Sequence, residues 1–143
     1  MDKAILEAWD KHNHKLKDVF REHRQSEYGT YEKLLRHTLS TIFPGDEDGV
    51  NNLCLDCNGI TRIDNGDYQG TIVFVVAENI CQPGVDNHWY TSVGYGSCSG
   101  CDTLQNIQSL NIDDAPNEAQ VENYWTLCLH MMQKLKRMEA NDE

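Results

Sequence analysis

The stretch Tyr95-Gly-Ser-Cys-Ser-Gly-Cys-Asp102 lies where the sequence changes from a strand-like pattern to a helix-like pattern. Before it, His88-Trp-Tyr-Thr-Ser-Val-Gly-Tyr95 alternates between apolar and polar side chains, which predicts a strand. After it, Asp102 is followed three residues later by Gln105, a spacing typical of a capped helix start. We expect this short helix to run through Leu110. The stretch therefore indicates a fold that combines strands and helices.

Two further strands are predicted upstream of this stretch. Thr71-Ile-Val-Phe-Val-Val76 is β-branched almost throughout, which favours a central strand that is buried on both faces. Ile60–Ile63 reads as its partner strand. Between them, Asn65-Gly66 predicts a two-residue hairpin turn, because these residues accept the positive φ angles that such a turn needs.

Helical patterns flank this β-rich middle on both sides. Residues 2–24 and Tyr31–Ile42 carry apolar side chains at three- and four-residue steps, and together they predict a helical hairpin. A last helix is predicted from an apolar seam formed by Val121, Trp125, Cys128, Met132 and Leu135. No linker or repeat divides the chain. The expected fold is α+β over residues 1–143 as a single domain, with an N-terminal helical hairpin, at least three antiparallel strands and two C-terminal helices.

Four of the six cysteines form two Cys-x-x-Cys pairs, Cys54/Cys57 and Cys98/Cys101. Two such pairs are a normal ligand set for tetrahedral zinc, and Gly59 after the first pair is consistent with a tight metal-binding turn. The sequence therefore predicts a structural zinc site formed by Cys54, Cys57, Cys98 and Cys101. Such a closed site leaves no position for an activated water. Cys128, and also Cys81, are expected to be buried thiols that pack as small apolar side chains.

A redox function for Cys98 and Cys101 is the alternative to zinc. A Cys-x-x-Cys pair between a strand and a helix start is also typical of thiol–disulfide oxidoreductases, because the helix N-terminus favours the thiolate. In that case Cys98 would be the attacking thiol. The second pair, Cys54/Cys57, favours zinc, since a dithiol enzyme does not need it.

The charge is distributed unevenly along the chain. The net charge is −11, and residues 43–123 contain one base, Arg62, against thirteen acidic residues. A phosphate-binding face needs clustered Lys and Arg, so direct nucleic-acid binding by this segment is not expected. Its acidity instead suits a basic protein surface, or mimicry of the charge of a nucleic acid.

Several motifs resemble those of a group of uncharacterised small proteins encoded by bacteriophages and prophages. The resemblance covers roughly residues 66–133 and is carried by Gly66-Asp-Tyr-Gln-Gly-Thr71, His88-Trp-Tyr90, the stretch from Tyr95 to Gln105, and Trp125-Thr-Leu-Cys-Leu-His130. It implies a phage origin and expression in the cytoplasm of a bacterial host. It brings no known activity with it.

These observations lead to one expected function and one alternative. We expect an accessory protein that binds a host protein with a basic surface, as an inhibitor of a host defence or nuclease system, with structural zinc. The alternative is a thiol–disulfide oxidoreductase that uses Cys98 and Cys101. No apolar run has the length of a membrane span, and the acidic N-terminus is unlike a secretion signal, so we expect a cytoplasmic protein without membrane contact. A homo-oligomer remains open.

Overall fold

The structure is a computed structural model of the 143-residue chain, and it describes residues 1–44, 53–64, 66, 70–96, 102–109 and 111–139. In the described part, four α-helices and a four-stranded antiparallel sheet form an α+β fold. No described helix is long and apolar enough to cross a membrane.

The helices form one layer of the fold. Helix α1 spans Lys3–Glu22 and α2 spans Tyr31–Ile42, with a 3₁₀ turn at Gln25–Tyr28 between them. The predicted helical hairpin is therefore confirmed, and the predicted cap residue Thr30 accepts a hydrogen bond from the backbone of Lys33. Helix α3 is short, Thr103–Ile107, and α4 spans Glu118–Gln133. The expected extension of α3 to Leu110 is not found, since the helix ends at Ile107.

The sheet has the order β1-β2-β3-β4. Its strands are β1 Leu55–Asp64, β2 Gly70–Glu78, β3 His88–Tyr95 and β4 Lys136–Arg137. The sequence predicted β3 with the same bounds. It did not predict β4, in which two basic residues after α4 pair with Trp89 and Tyr90.

The turn chemistry around β1 differs from the prediction. Asp64 pairs with Ile72, and Asn65 of the predicted two-residue turn lies outside the described residues. The tight turn expected after Cys57 is wrong: Cys57 and Gly59 lie within β1, next to an irregularity between Leu55 and Ile60. Gly59 does not have a positive φ angle. It is needed for space, because a Cβ there would lie 3.2 Å from the Cβ of Asp56 and 3.3 Å from that of Ala77.

The helices cover one face of the sheet. In β2 the side chains of Ile72, Phe74 and Val76 are buried, whereas those of Val73 and Val75 between them are half-buried. The expectation that this strand is buried on both faces is therefore wrong. A continuous β-branched run says that a strand is central, but it does not say whether a second layer covers it.

A matched pair of substitutions tests this one-sided packing. We expect Val76→Ala to lower the free energy of unfolding by about 2 kcal/mol, because it opens a cavity in the core. The same change one residue away, Val75→Ala, is expected to cost less than about 1 kcal/mol, since solvent already reaches that side chain. Urea denaturation followed by circular dichroism measures both. Equal losses would mean that a second layer covers the sheet.

Candidate functional site

The structure describes one of the two Cys-x-x-Cys pairs, Cys54/Cys57, and places it at one end of the sheet. Cys54 and Cys57 lie at the start of β1, where Leu55 pairs with Glu78 at the end of β2. Cys98 and Cys101 lie outside the described residues, but they follow Tyr95, which pairs with Gly70 at the start of β2. The length of β2 between these two pairings is about 25 Å at the usual rise per residue. Because Cys98 and Cys101 are not among the described residues, the zinc site shared by all four cysteines stays a prediction.

The described cysteines differ in their exposure. Cys54 and Cys57 are half-buried against the core, Cys128 is fully buried, and Cys81 is exposed. The expected burial of Cys128 is confirmed and that of Cys81 is wrong. Among the residues that the structure describes, no three His, Cys, Asp or Glu side chains are placed to hold a metal ion. The redox alternative for Cys98 and Cys101 is also untested, because neither residue is described.

Burial changes the chemistry of two of these thiols. It raises the pKa of Cys128 to about 12, against the opposing effect of the Thr38 hydroxyl, which lies 3.0 Å from the sulfur. Burial also raises the pKa of Cys54, although a hydrogen bond from the side chain of Asn79 acts in the opposite direction. Since the thiolate is the reactive form, both are poorer nucleophiles than an ordinary exposed cysteine.

Asp102 is a buried carboxylate that joins three elements, and its side chain is only 4% exposed. Its Oδ2 accepts a hydrogen bond from the backbone N–H of Gly96 at 2.9 Å, just after β3. Its Oδ1 accepts from the Tyr31 hydroxyl at 2.9 Å, in α2, and from the backbone N–H of Gln105 at 3.0 Å, in α3. The predicted cap at Asp102 is confirmed. Gln105 does not complete a capping box, since its side chain is directed to the Gly96 carbonyl at 3.4 Å.

The surroundings of the Tyr31 hydroxyl keep it protonated, so that it can donate to Asp102. It also accepts a hydrogen bond from the backbone N–H of Leu104 at 3.2 Å. Burial raises the pKa of Tyr31 well above that of an ordinary tyrosine, and the hydrogen bond to Asp102 acts in the same direction. The hydroxyl therefore stays protonated and holds α2 against the start of α3.

A groove of about 470 Å³ opens beside this junction, and we call it the α2–α3 groove. Its basic residues are Lys33, Arg36 and Arg62, and its acidic residues are Glu32, Asp64 and Asp102. Tyr31, Ile72 and Leu104 supply apolar surface, and Gln105 and Gln108 supply amides. Sequence reasoning missed this site, because its residues come from four separate segments and only the fold brings them together.

The second candidate surface is the face of the sheet that the helices leave uncovered, and we call it the outer face. On β1–β3 it is formed by cross-strand neighbours with half-buried or exposed side chains: Thr61, Ile63, Val73, Val75, Ala77, His88, Tyr90 and Ser92. Ile63 is 52% exposed and Tyr90 is 39% exposed. None of these residues is Asp, Glu, Lys or Arg, and Lys136 of β4 pairs with Tyr90 at the edge of the face. Large exposed apolar side chains also occur at Ile80 and Val85, in the connection from β2 to β3.

In the fold, some acidic residues of the central segment lie beside basic residues or are buried. Glu118 and Glu122 on α4 form ion pairs of 2.9 and 2.7 Å with Arg21 and Lys17 on α1. Asp64 pairs with Arg62, and Asp102 is buried. These four of the thirteen acidic residues of this segment are therefore paired with a base or buried.

Comparison of the chain with models of protein families, with curated protein sequences and with solved structures gives no match. Function is therefore argued from the geometry of the two surfaces.

The Asp102 junction leads to a prediction about stability. Asp102→Ala would leave the Tyr31 hydroxyl and two backbone N–H groups without their acceptor, so we expect a loss of roughly 3 kcal/mol in the free energy of unfolding. Tyr31→Phe is expected to cost about 1–2 kcal/mol, since Leu104 N–H also loses its acceptor. Asp86→Ala serves as the control, because Asp86 is exposed, and its effect should stay within about 0.5 kcal/mol. Urea denaturation of the three variants gives the comparison, and an Asp102→Ala variant as stable as the control would contradict this role.

The thiol environments predict an order of alkylation. In native protein treated with iodoacetamide, we expect Cys81 to react before Cys54, and Cys128 to stay unmodified, because exposure and thiolate formation both control the rate. Peptide mass spectrometry over time assigns each site, and the same treatment in urea should label all six cysteines. Labelling of native Cys128 as fast as Cys81 would be inconsistent with this packing.

Proposed function

We propose that this protein is a phage-encoded accessory protein that acts in the cytoplasm of the bacterial host by binding a host protein. The observation that carries the proposal is the outer face. Val73, Val75 and Ala77 on the central strand are only half-buried, and Ile63 and Tyr90 on either side are exposed. Contiguous apolar surface of this kind, without charged side chains on β1–β3, is typical of an interaction site.

The outer face has the chemistry of the centre of an interface. Protein interfaces place apolar and aromatic side chains in a central region from which charge is depleted, with polar groups at the rim. Tyr90 lies opposite Val75, and Ile63 lies opposite Val73, so the apolar contacts are continuous across three strands. Burial of these side chains by a partner supplies the affinity.

The net charge of −11 supports a partner with a basic surface. Attraction between opposite net charges accelerates encounter and disfavours acidic partners. A nuclease of the host defence fits this description, because proteins that bind nucleic acid carry clustered Lys and Arg. We therefore propose that the apolar centre of the outer face docks on such a protein, as an inhibitor. This proposal does not require zinc.

Affinity capture with a matched pair of variants tests the proposal. The wild-type chain, Ile63→Asp and Leu6→Asp are immobilised and incubated with bacterial lysate, and each captured protein is purified and measured by calorimetry. We expect Ile63→Asp to weaken binding by at least about tenfold, because it buries an unpaired charge at the centre of the contact. Leu6→Asp should bind like the wild type, since Leu6 is similarly exposed, at 43%, but lies on α1.

The choice of aspartate separates the apolar contact from long-range attraction. A further negative charge strengthens the attraction to a basic partner, so a loss of affinity in Ile63→Asp cannot come from net charge. A partner that binds all three proteins equally would contradict docking on the outer face. Recovery of no partner above background would count against a binding function. A dimer of the wild-type chain that Ile63→Asp abolishes would show that the outer face is occupied by a second copy instead.

A further inference from the structure

The α2–α3 groove has the size of a small-molecule site. Its volume of about 470 Å³ lies within the range of about 300–1,000 Å³ that is usual for ligand pockets. The lining residues named above belong to the described part of the chain. It lies on the helix-covered side of the sheet, so it is separate from the outer face.

Basic residues are concentrated here in an acidic protein. Lys33 and Arg36 are three residues apart on α2, and this spacing brings them to the same side of the helix. Arg62, from the end of β1, is the only base between residues 43 and 123, and it lines the same groove. Of the groove's acidic residues, Asp102 is fully engaged by three donors. Two carboxylates, those of the half-buried Glu32 and the exposed Asp64, therefore remain against three bases.

The basic groups have hydrogen-bond donors to offer a ligand. A guanidinium has five N–H donors. Within the described residues, Arg62 directs one hydrogen bond to Asp64, at 2.9 Å. Arg36 directs two, to Glu32 at 3.0 Å and to the Cys57 carbonyl at 3.4 Å. The Lys33 side chain is exposed.

The two ion pairs in the groove can be broken at a small cost in free energy. The side chains of the pair Arg62–Asp64 are 48% and 25% exposed, and those of Arg36–Glu32 are 42% and 34% exposed. Exposed pairs of this kind contribute only about 0–1 kcal/mol. An anion that enters the groove can therefore take up donors from both arginines without a large loss of stability.

The groove also has an apolar lining. Ile72, Leu104 and the ring of Tyr31 are almost completely buried and expose only small areas to it, and the half-buried ring of Tyr95 adds aromatic surface. A bare inorganic ion would leave this surface uncovered. An apolar or aromatic body attached to the anionic group would cover it and gain hydrophobic free energy.

We infer that the α2–α3 groove binds a small organic anion, in which a phosphate or carboxylate contacts Lys33, Arg36 and Arg62 and an apolar or aromatic body packs against the ring of Tyr95, beside Ile72 and Leu104. The inference does not rest on the proposed binding of a host protein.

Calorimetric titrations test the ligand class. The probes are adenosine 5′-monophosphate, 4-nitrophenyl phosphate and benzoate, with adenosine and inorganic phosphate as the matched compounds that lack one half of the proposed ligand. We expect at least one of the three organic anions to bind with a submillimolar dissociation constant. Adenosine should bind at least about tenfold more weakly than adenosine 5′-monophosphate. Inorganic phosphate should bind at least about tenfold more weakly than the organic anion that binds. If none of the three organic anions binds at millimolar concentration, or if inorganic phosphate binds as tightly as they do, the inference is wrong.

Variants locate the site. Lys33→Gln and Arg62→Gln should each raise the dissociation constant of the probe by about fivefold or more, because each removes one charge-assisted contact. Lys3→Gln removes an equal charge from the exposed start of α1 and should leave the affinity unchanged. Amide chemical-shift changes on probe addition should include Lys33, Arg62 and Leu104. Equal weakening by Lys3→Gln would show a general charge effect and overturn the site.

Discussion

The fold depends on the hydrogen bonds that the buried carboxylate of Asp102 accepts. Oδ2 binds the backbone of Gly96 after β3, and Oδ1 binds Tyr31 in α2 and the first turn of α3. A buried carboxylate requires such donors, because its desolvation is otherwise too costly. The hydrogen bond from Gly96 to Asp102 holds these two residues, which flank the segment 97–101, close to each other. The hydrogen bond from Tyr31 sets the position of α2 against the sheet, and this position creates the α2–α3 groove.

The sequence predicted what local patterns determine. The bounds of α2 and β3, the caps at Thr30 and Asp102 and the burial of Cys128 all follow from periodicity or from capping chemistry within a few residues. The α2–α3 groove and the outer face were not predicted. Arg62 and Lys33 are far apart in the sequence, so only the sheet register and the packing of α2 reveal that they share a groove. The run from Thr71 to Val76 indicated a central strand, but the partial exposure of Val73 and Val75 depends on packing beyond the run itself.

Charge shows the same limit of sequence reasoning. The surplus of acidic residues in the central segment suggested an acidic surface, but α4 places Glu118 and Glu122 beside the bases of α1. These pairs join the first helix to the last one. Hydrogen bonding to Arg21 lowers the pKa of Glu118, as expected for a carboxylate that is stabilised in its charged form. The stabilising effect of this pair is present above the pKa of an unpaired glutamate and is lost as the pH falls through the lowered value.

The alternation of side chains along β1 makes the two candidate surfaces separable. Arg62 and Asp64 line the α2–α3 groove, whereas Ile63 between them belongs to the outer face. Successive residues of a strand point to opposite sides, so a change at Ile63 alters the outer face and leaves the charged groups of the groove in place. The same holds for β2, where Ile72 lies in the groove and Val73 on the outer face. The proposed docking on one side and the proposed ligand binding on the other therefore share a backbone but no side chain. The two surfaces share the backbone of all three strands, because Tyr95 of β3 also lines the groove while Tyr90 and Ser92 of the same strand lie on the outer face.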